Sequence, residues 1–133
     1  MSPDRQAAVA HVLSLLEGKG IRAVHIGIFD IDARFRVKRV DTEKFVKLLK
    51  GGYEFCEVLY HWDVVETPYR QGAWADAPSP IDPTTGRLYP FAEGEALFIA
   101  EFAGETGKLA PRNLLRDQLA RAEGMGFSVT AGF

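Results

Sequence analysis

The 133-residue chain is 47% hydrophobic and 26% charged, the proportions of a single globular domain, which exclude disorder, collagen and coiled coil. Eighteen acidic against sixteen basic residues leave a net charge of −2, so nucleic-acid binding receives no electrostatic support. The apolar runs are too short for a membrane span, Met1-Ser2-Pro3-Asp4-Arg5 lacks the basic-then-apolar layout of a secretory signal, and the single cysteine, Cys56, excludes an internal disulfide framework and a cysteine zinc site and suits a reducing cytoplasm.

Ser2-Pro3-Asp4 reads as a helix start, with Ser2 as N-cap, Pro3 in the first helical position and Asp4 in the first turn. Val9, Val12, Leu13 and Leu16 form one apolar stripe, and Gly18 and Gly20 end the helix. From Ile21 to Asp30, Val24, Ile26 and Ile28 alternate with Ala23, His25 and Gly27, which predicts a strand with one buried face. Asp30-Ile31-Asp32-Ala33-Arg34 is a turn. Phe35, Val37 and Arg39, alternating with Arg36 and Lys38, complete a hairpin. Asp41 caps a second helix with Phe45, Val46, Leu48 and Leu49 as its apolar positions, Lys44, Lys47 and Lys50 on its outer face, and Gly51-Gly52 as its stop.

Periodicity then fails from Tyr53 to about Ser79. Tyr60, Trp62, Tyr69 and Trp74 make this stretch too aromatic for a linker, so an ordered loop is expected. Ile81 to Tyr89 reads as a hairpin-like excursion turning at Asp82-Pro83-Thr84-Thr85-Gly86. Leu97 to Phe102 is a strand. Pro111 starts a third helix with Leu115, Leu119 and Ala122 on its inner face and Gly124-Met125-Gly126 as its stop, and Phe127 to Ala131 is a final strand. Strands paired locally beside packed helices give an α+β fold, a β-grasp-like mixed sheet with about three helices. The chain shows no internal repeat and no low-complexity segment.

Candidate chemistry is sparse. None of His11, His25 and His61 has a ligand-like partner three or four residues after it. His11 is expected on the exposed side of its helix and His25 on the outward face of its strand. His61, beside Trp62 and Asp63, is the histidine in a loop that looks functional. Cys56 has no identifiable nucleophile partner and reads as a small apolar residue. Neither a G-x-x-x-x-G-K nor a G-x-G-x-x-G motif occurs, so no nucleotide site is visible. The three lysines of the second helix read as a solvated face. Asp30 and Asp32 fit turn chemistry. Asp63 and Asp76 sit in the aromatic loop, where a carboxylate beside rings can bind a cation or accept a proton, or can simply cap a turn.

In chain order, Ile28-Phe29-Asp30-Ile31-Asp32 with Arg36-Val37-Lys38, Trp62-Asp63-Val64, Trp74-Ala75-Asp76, Ile81-Asp82-Pro83, Ala96-Leu97-Phe98-Ile99, Ala110-Pro111-Arg112-Asn113-Leu114-Leu115 and Val129-Thr130-Ala131-Gly132-Phe133 resemble the N-terminal domain of the glutamine synthetase superfamily. The resemblance runs from about Ile21 to the end, so residues 1–20 are read as an N-terminal helix and 21–133 as the domain proper. It implies a β-grasp domain that packs on the catalytic domain of the same chain or a neighbouring subunit in a ring-shaped homo-oligomer. It further implies nitrogen metabolism and glutamine biosynthesis: joining of glutamate to ammonia or an amine, with ATP and Mg2+ or Mn2+ as cofactors of the full-length family. By position, Asp63 resembles the loop aspartate that binds ammonium and takes its proton, and Asp76 a second carboxylate near the subunit boundary.

Two departures refine this resemblance. Asp63-Val64-Val65-Glu66 stands where glutamine-forming members carry Asp-Gly-Ser-Ser, which points to the γ-glutamyl-amine ligase branch, and Ala33 occupies a turn position where the family often has glycine. In the family, metal-binding glutamates and the ATP-binding domain follow a stretch like Thr130-Ala131-Gly132-Phe133, so this chain is expected to hold no metal or nucleotide and to be inactive alone. The alternative expectation is a free-standing β-grasp interaction or regulatory module that self-associates or docks on a full-length synthetase.

Overall fold

Because β1 (Ala23–Phe29) is the most apolar strand of the chain, it takes the centre of the sheet. The computed structural model describes residues 3 to 132, with side chains from Arg5 onward; Ser2, the expected N-cap, lies outside them. β1 pairs antiparallel with β2 (Phe35–Asp41) through the expected hairpin, and parallel with β6 (Glu95–Ile99) on its other edge. The short β5 (Arg87–Leu88) adds antiparallel to β6, giving the order β2-β1-β6-β5. The result is an α+β fold with a mixed sheet, as expected.

One sheet face is covered by α1 (Pro3–Gly18) and α2 (Thr42–Gly51). Val9, Val12 and Leu16 of α1 and Phe45 and Leu49 of α2 meet Val24, Ile26, Ile28 and Phe98 in one core. The Phe45 and Phe98 rings lie 4.7 Å apart. Asp41 caps α2 by accepting the Lys44 N–H at 2.7 Å, and Gly52, at φ 111°, ends it.

Five expectations are corrected. The first strand is buried on both faces, since Ala23 and His25 are buried as well as Val24 and Ile26. The reason is local: Tyr89 stacks on His25 at 3.9 Å, and Gly27 has no side chain, so the Phe35 ring lies where a β-carbon would stand. The stretch from Tyr53 to Ser79 holds two strands, β3 (Glu54–Cys56) and β4 (Asp76–Pro78), paired antiparallel with a 3-10 turn at Glu57–Tyr60 between them. Strands this short leave no periodic signal. A one-turn helix, α3 (Gly104–Gly107), precedes the C-terminal helix α4 (Pro111–Gly124).

The other two corrections concern the C-terminal end. α4 starts at Pro111 as expected, but its supposed inner face is outside: Leu115 is 59% and Leu119 40% exposed, and no residue of α4 is buried. Its first turn is tied down by Arg112, which reaches Asp82 at 3.2 Å, and by Asn113, which donates to the carbonyls of Phe102 and Gly107. Arg116, one turn on, still lies 3.7 Å from Asp82, and the later turns are exposed. Residues 127 to 131 form no strand and stay exposed; the Phe127 N–H instead donates to the Ala122 carbonyl at 3.0 Å, closing the end of α4.

Candidate functional site

The β1–β2 turn and the aromatic loop meet at one corner of the sheet. Asp30, 2% exposed, is consumed by its own hairpin: Oδ1 accepts the N–H groups of Asp32 (3.0 Å) and Arg34 (2.8 Å), and Oδ2 accepts Arg36 Nε (2.7 Å). Three donors on a buried carboxylate make a structural group. Asp32 is exposed beside it.

Arg34 and Arg36 hold the loop. Arg34 donates to the Val64 carbonyl and to Glu66. Arg36 lies over the Trp62 ring at 5.0 Å. Its Nη2 is 2.7 Å from Glu66 Oε1, a close ion pair that falls short of hydrogen-bond geometry. Asp30 and Glu66 together push the Arg36 guanidinium above its ordinary value, against burial. Both non-glycine residues with left-handed backbone, Ala33 at φ 61° and Glu66 at φ 65°, sit in these two facing turns. Strain at paired turns is characteristic of sites whose geometry is fixed by function.

Asp63 lies inside this clamp. Its Oδ1 accepts the N–H groups of Val65 (3.0 Å) and Thr67 (2.9 Å), while its own N–H donates to the Thr67 carbonyl. This is an Asx-type turn, so the turn-capping role weighed from sequence is present. Among the described residues nothing donates to Oδ2, which leaves half of a fixed carboxylate available. In the same turn the Trp62 indole N–H is buried without a partner.

The other sequence candidates separate. Asp76 is exposed on β4, opposite Cys56 in register, and no contact joins it to Asp63. Its charge is felt by Tyr53, whose phenol is pushed up first by burial and then by Asp76. His61 stacks on Trp74 at 5.0 Å, and Arg70 lies over the same Trp74 ring at 4.1 Å. His11 is exposed on α1, and Cys56 is a free, half-buried thiol. His25 is corrected: it is buried and hydrogen-bonded to Glu95 at 2.6 Å, because the chain folds Tyr89 and Glu95 over that face. Hydrogen bonds from Arg39 and then His25 hold the Glu95 carboxyl down at about 2.

Sequence reading missed Glu101. It is 5% exposed and accepts the Tyr60 hydroxyl at 2.8 Å and the Phe102 N–H at 3.1 Å. Burial, then Glu101, pushes the Tyr60 phenol well up, so the phenol stays a donor. A glutamate at the apolar end of a strand, beside Phe102, was the available signal. No group of three or more His, Cys, Asp or Glu among the described residues could hold a metal ion. Among the described residues, no helix is long and apolar enough to cross a membrane.

No protein-family model matches the chain. Among curated proteins it is similar to a glutamate–isopropylamine ligase of a Pseudomonas species, 29% identical over 145 residues, covering 100% of this chain and 31% of that protein. It is similar to the gamma-glutamylethanolamide synthetase GlnA4 of Streptomyces coelicolor, 30% identical over 135 residues, covering 93% of this chain and 29% of that protein. It is also similar to type-1 glutamine synthetase 2 of Dictyostelium discoideum, at 28% identity over 119 residues, 82% of this chain and 23% of that protein. Two solved structures, GmaS with ADP and GmaS without ligand, match with TM-scores of 0.69 and 0.66 at 25% and 26% identity, covering 86% and 84% of this chain and 26% of each. The chain thus spans 31% of the longest-covered of these relatives and less of the others.

Proposed function

We propose, for a chain homologous to the glutamine synthetase superfamily, that it is the N-terminal domain of an ATP-dependent ligase that joins glutamate to an amine. In this reading residues 21–133, with the first helix packed on them, present the Asp63 turn to an active site completed by a catalytic domain, of a neighbouring subunit in a homo-oligomer. Nucleotide and divalent metal belong to that catalytic domain. The names of the amine-using relatives support the amine as nitrogen donor, as does Val64-Val65-Glu66 after Asp63.

The observation that carries the proposal is the half-used carboxylate of Asp63. Its Oδ1 is locked by Val65 and Thr67, so Oδ2 has a fixed direction. A fixed oxygen binds an ammonium without the cost of ordering a free side chain, and it stands within reach of the proton released when the nitrogen attacks. Asp76 is the secondary carboxylate in this proposal.

Two measurements test it. The chain alone, given ATP, glutamate, Mg2+ and an amine, is expected to release no phosphate; sustained metal-dependent turnover rejects the domain reading. In a protein joining this domain to its catalytic part, Asp63→Asn should lower kcat by about 100-fold, the scale of general acid–base catalysis, with the fold unchanged. An unchanged rate rejects the role of Asp63.

The exposed apolar side of α4 favours a second reading, a module that associates with its own copies. Sedimentation separates the two: a chain that stays monomeric at high concentration has no self-association to explain.

A further inference from the structure

A second cleft, sharing no lining residue with the Asp63 turn, opens between β2, the end of α2 and the β3–β4 pair. Its volume is about 650 Å3. Val40, Leu48 and Pro78 give it apolar walls, Lys38 and Lys44 stand in it, and Tyr53 lies at its base.

The charged side chains that line this cleft are unequal in number. Arg36 and Lys38 lie on the same face of β2, across from Ile28 and Ile26. Arg36 is met by Asp30 and Glu66. Lys38 meets no carboxylate among the described residues, and its ammonium instead lies 4.4 Å from the Phe55 ring centre and 5.7 Å from that of Tyr53. On α2, Lys47 pairs with Glu43 at 2.6 Å, whereas Lys44, one turn from the cleft mouth, has no such partner. Glu54 lines the cleft as its one acidic side chain. Two ammonium groups against one carboxylate leave a surplus of one positive charge.

Tyr53 adds a donor. The residue is 6% exposed, and its hydroxyl is buried with no hydrogen-bond partner. An unpaired buried hydroxyl is a standing cost, of the kind that native structures keep when a ligand or a function answers for it. Burial and Asp76 keep the phenol protonated.

We propose that this cleft binds a small organic monocarboxylate, its short apolar body against Val40, Leu48 and Pro78 and its carboxylate taken by Lys38, Lys44 and the Tyr53 hydroxyl. Glu54 sets the preference for a single negative charge. A dicarboxylate would bring its second group against that wall. The Lys38 ammonium lies over the Tyr53 and Phe55 rings, so binding draws Lys38 off the two rings and onto the ligand. The site is independent of the proposed amine chemistry and stands or falls without it.

Hexanoate is a suitable probe, with hexanol and inorganic phosphate as its two halves. In 1H–15N spectra of the whole chain, hexanoate is expected to give saturable shifts confined to Lys38, Leu48 and residues 51 to 54, while hexanol and phosphate give weaker ones. The double variant Lys38→Gln with Lys44→Gln, exposed positions that leave the fold intact, should weaken hexanoate about tenfold or more. Tyr53→Phe should weaken it several-fold and, without ligand, raise Tm. Shifts that are absent, that never saturate or that survive the double variant undiminished overturn the site. Phosphate or hexanol binding as tightly as hexanoate overturns the ligand class.

Discussion

α1 and α4 carry the same kind of apolar spacing and meet opposite fates. Val9, Val12 and Leu16 of α1 are buried against the sheet, whereas Leu115 and Leu119 of α4 face outward together with Met125, Phe127 and Val129. The difference lies in what each helix finds beside it. α1 shares a sheet face with α2, and the three layers close over Val24, Ile26 and Ile28. α4 is held near its start, by Arg112 and Asn113 and by Arg116, 3.7 Å from Asp82, and its later turns stay exposed. An amphipathic stripe therefore records that a face is meant to be covered, without recording by what.

Paired substitutions break or sharpen this contrast most directly. Ile26→Ala, at a position with no exposure, should cost about 2–5 kcal/mol in urea unfolding. Leu119→Ala should stay within about 0.5 kcal/mol in the same chain. Equal losses would mean that α4 is packed in solution after all. The Asp63 turn belongs with the fastened part of the molecule, through Asp30 and Arg36. Asp30→Ala should cost about 1–3 kcal/mol, since it strips the Asp32 and Arg34 N–H groups of their acceptor. A loss below 0.5 kcal/mol, on the scale of surface changes at about that size, would show the hairpin holding without it.

Smaller effects follow at the strained turn and the far edge. Ala33→Gly should raise stability by up to about 1 kcal/mol, because φ 61° costs a β-carbon that glycine lacks; a loss would show that Ala33 contributes packing that outweighs the strain. Glu95 titrates at about 2 in the folded chain, held down by Arg39 and His25. Its folded value lies below the unfolded one of about 4.3. The stabilisation is therefore complete above that unfolded value and is lost as pH falls toward 2. Glu95→Gln should flatten the acid limb of the stability curve between those values. A curve of unchanged shape would remove Glu95 from the set of groups that resist acid.

Reading from sequence succeeded where a period or a cap fixes structure locally. The α1 stripe, the Asp41 cap of α2, the β1–β2 hairpin and the Pro111 start of α4 all rest on residues a few positions apart. Asp63 as a turn aspartate was legible for the same reason. His25 was not. Its partners Glu95 and Tyr89 are more than sixty residues away in sequence, at a separation of 70 for Glu95, and only pairing β1 with β6 brings them over it. Glu101, Arg34 and Glu66 escaped for that reason too, since each does its work across a contact between distant segments.

The sequence by itself determined the helices, the hairpin and the family likeness, because propensity, capping and motif order act over short spans of chain. Tertiary structure alone decided which apolar faces were covered, which carboxylates were spent and which were left open. Burial and charge pairing depend on neighbours brought from far along the chain, and the exposed Leu115 and Leu119 of α4 show that apolar spacing alone does not bring them.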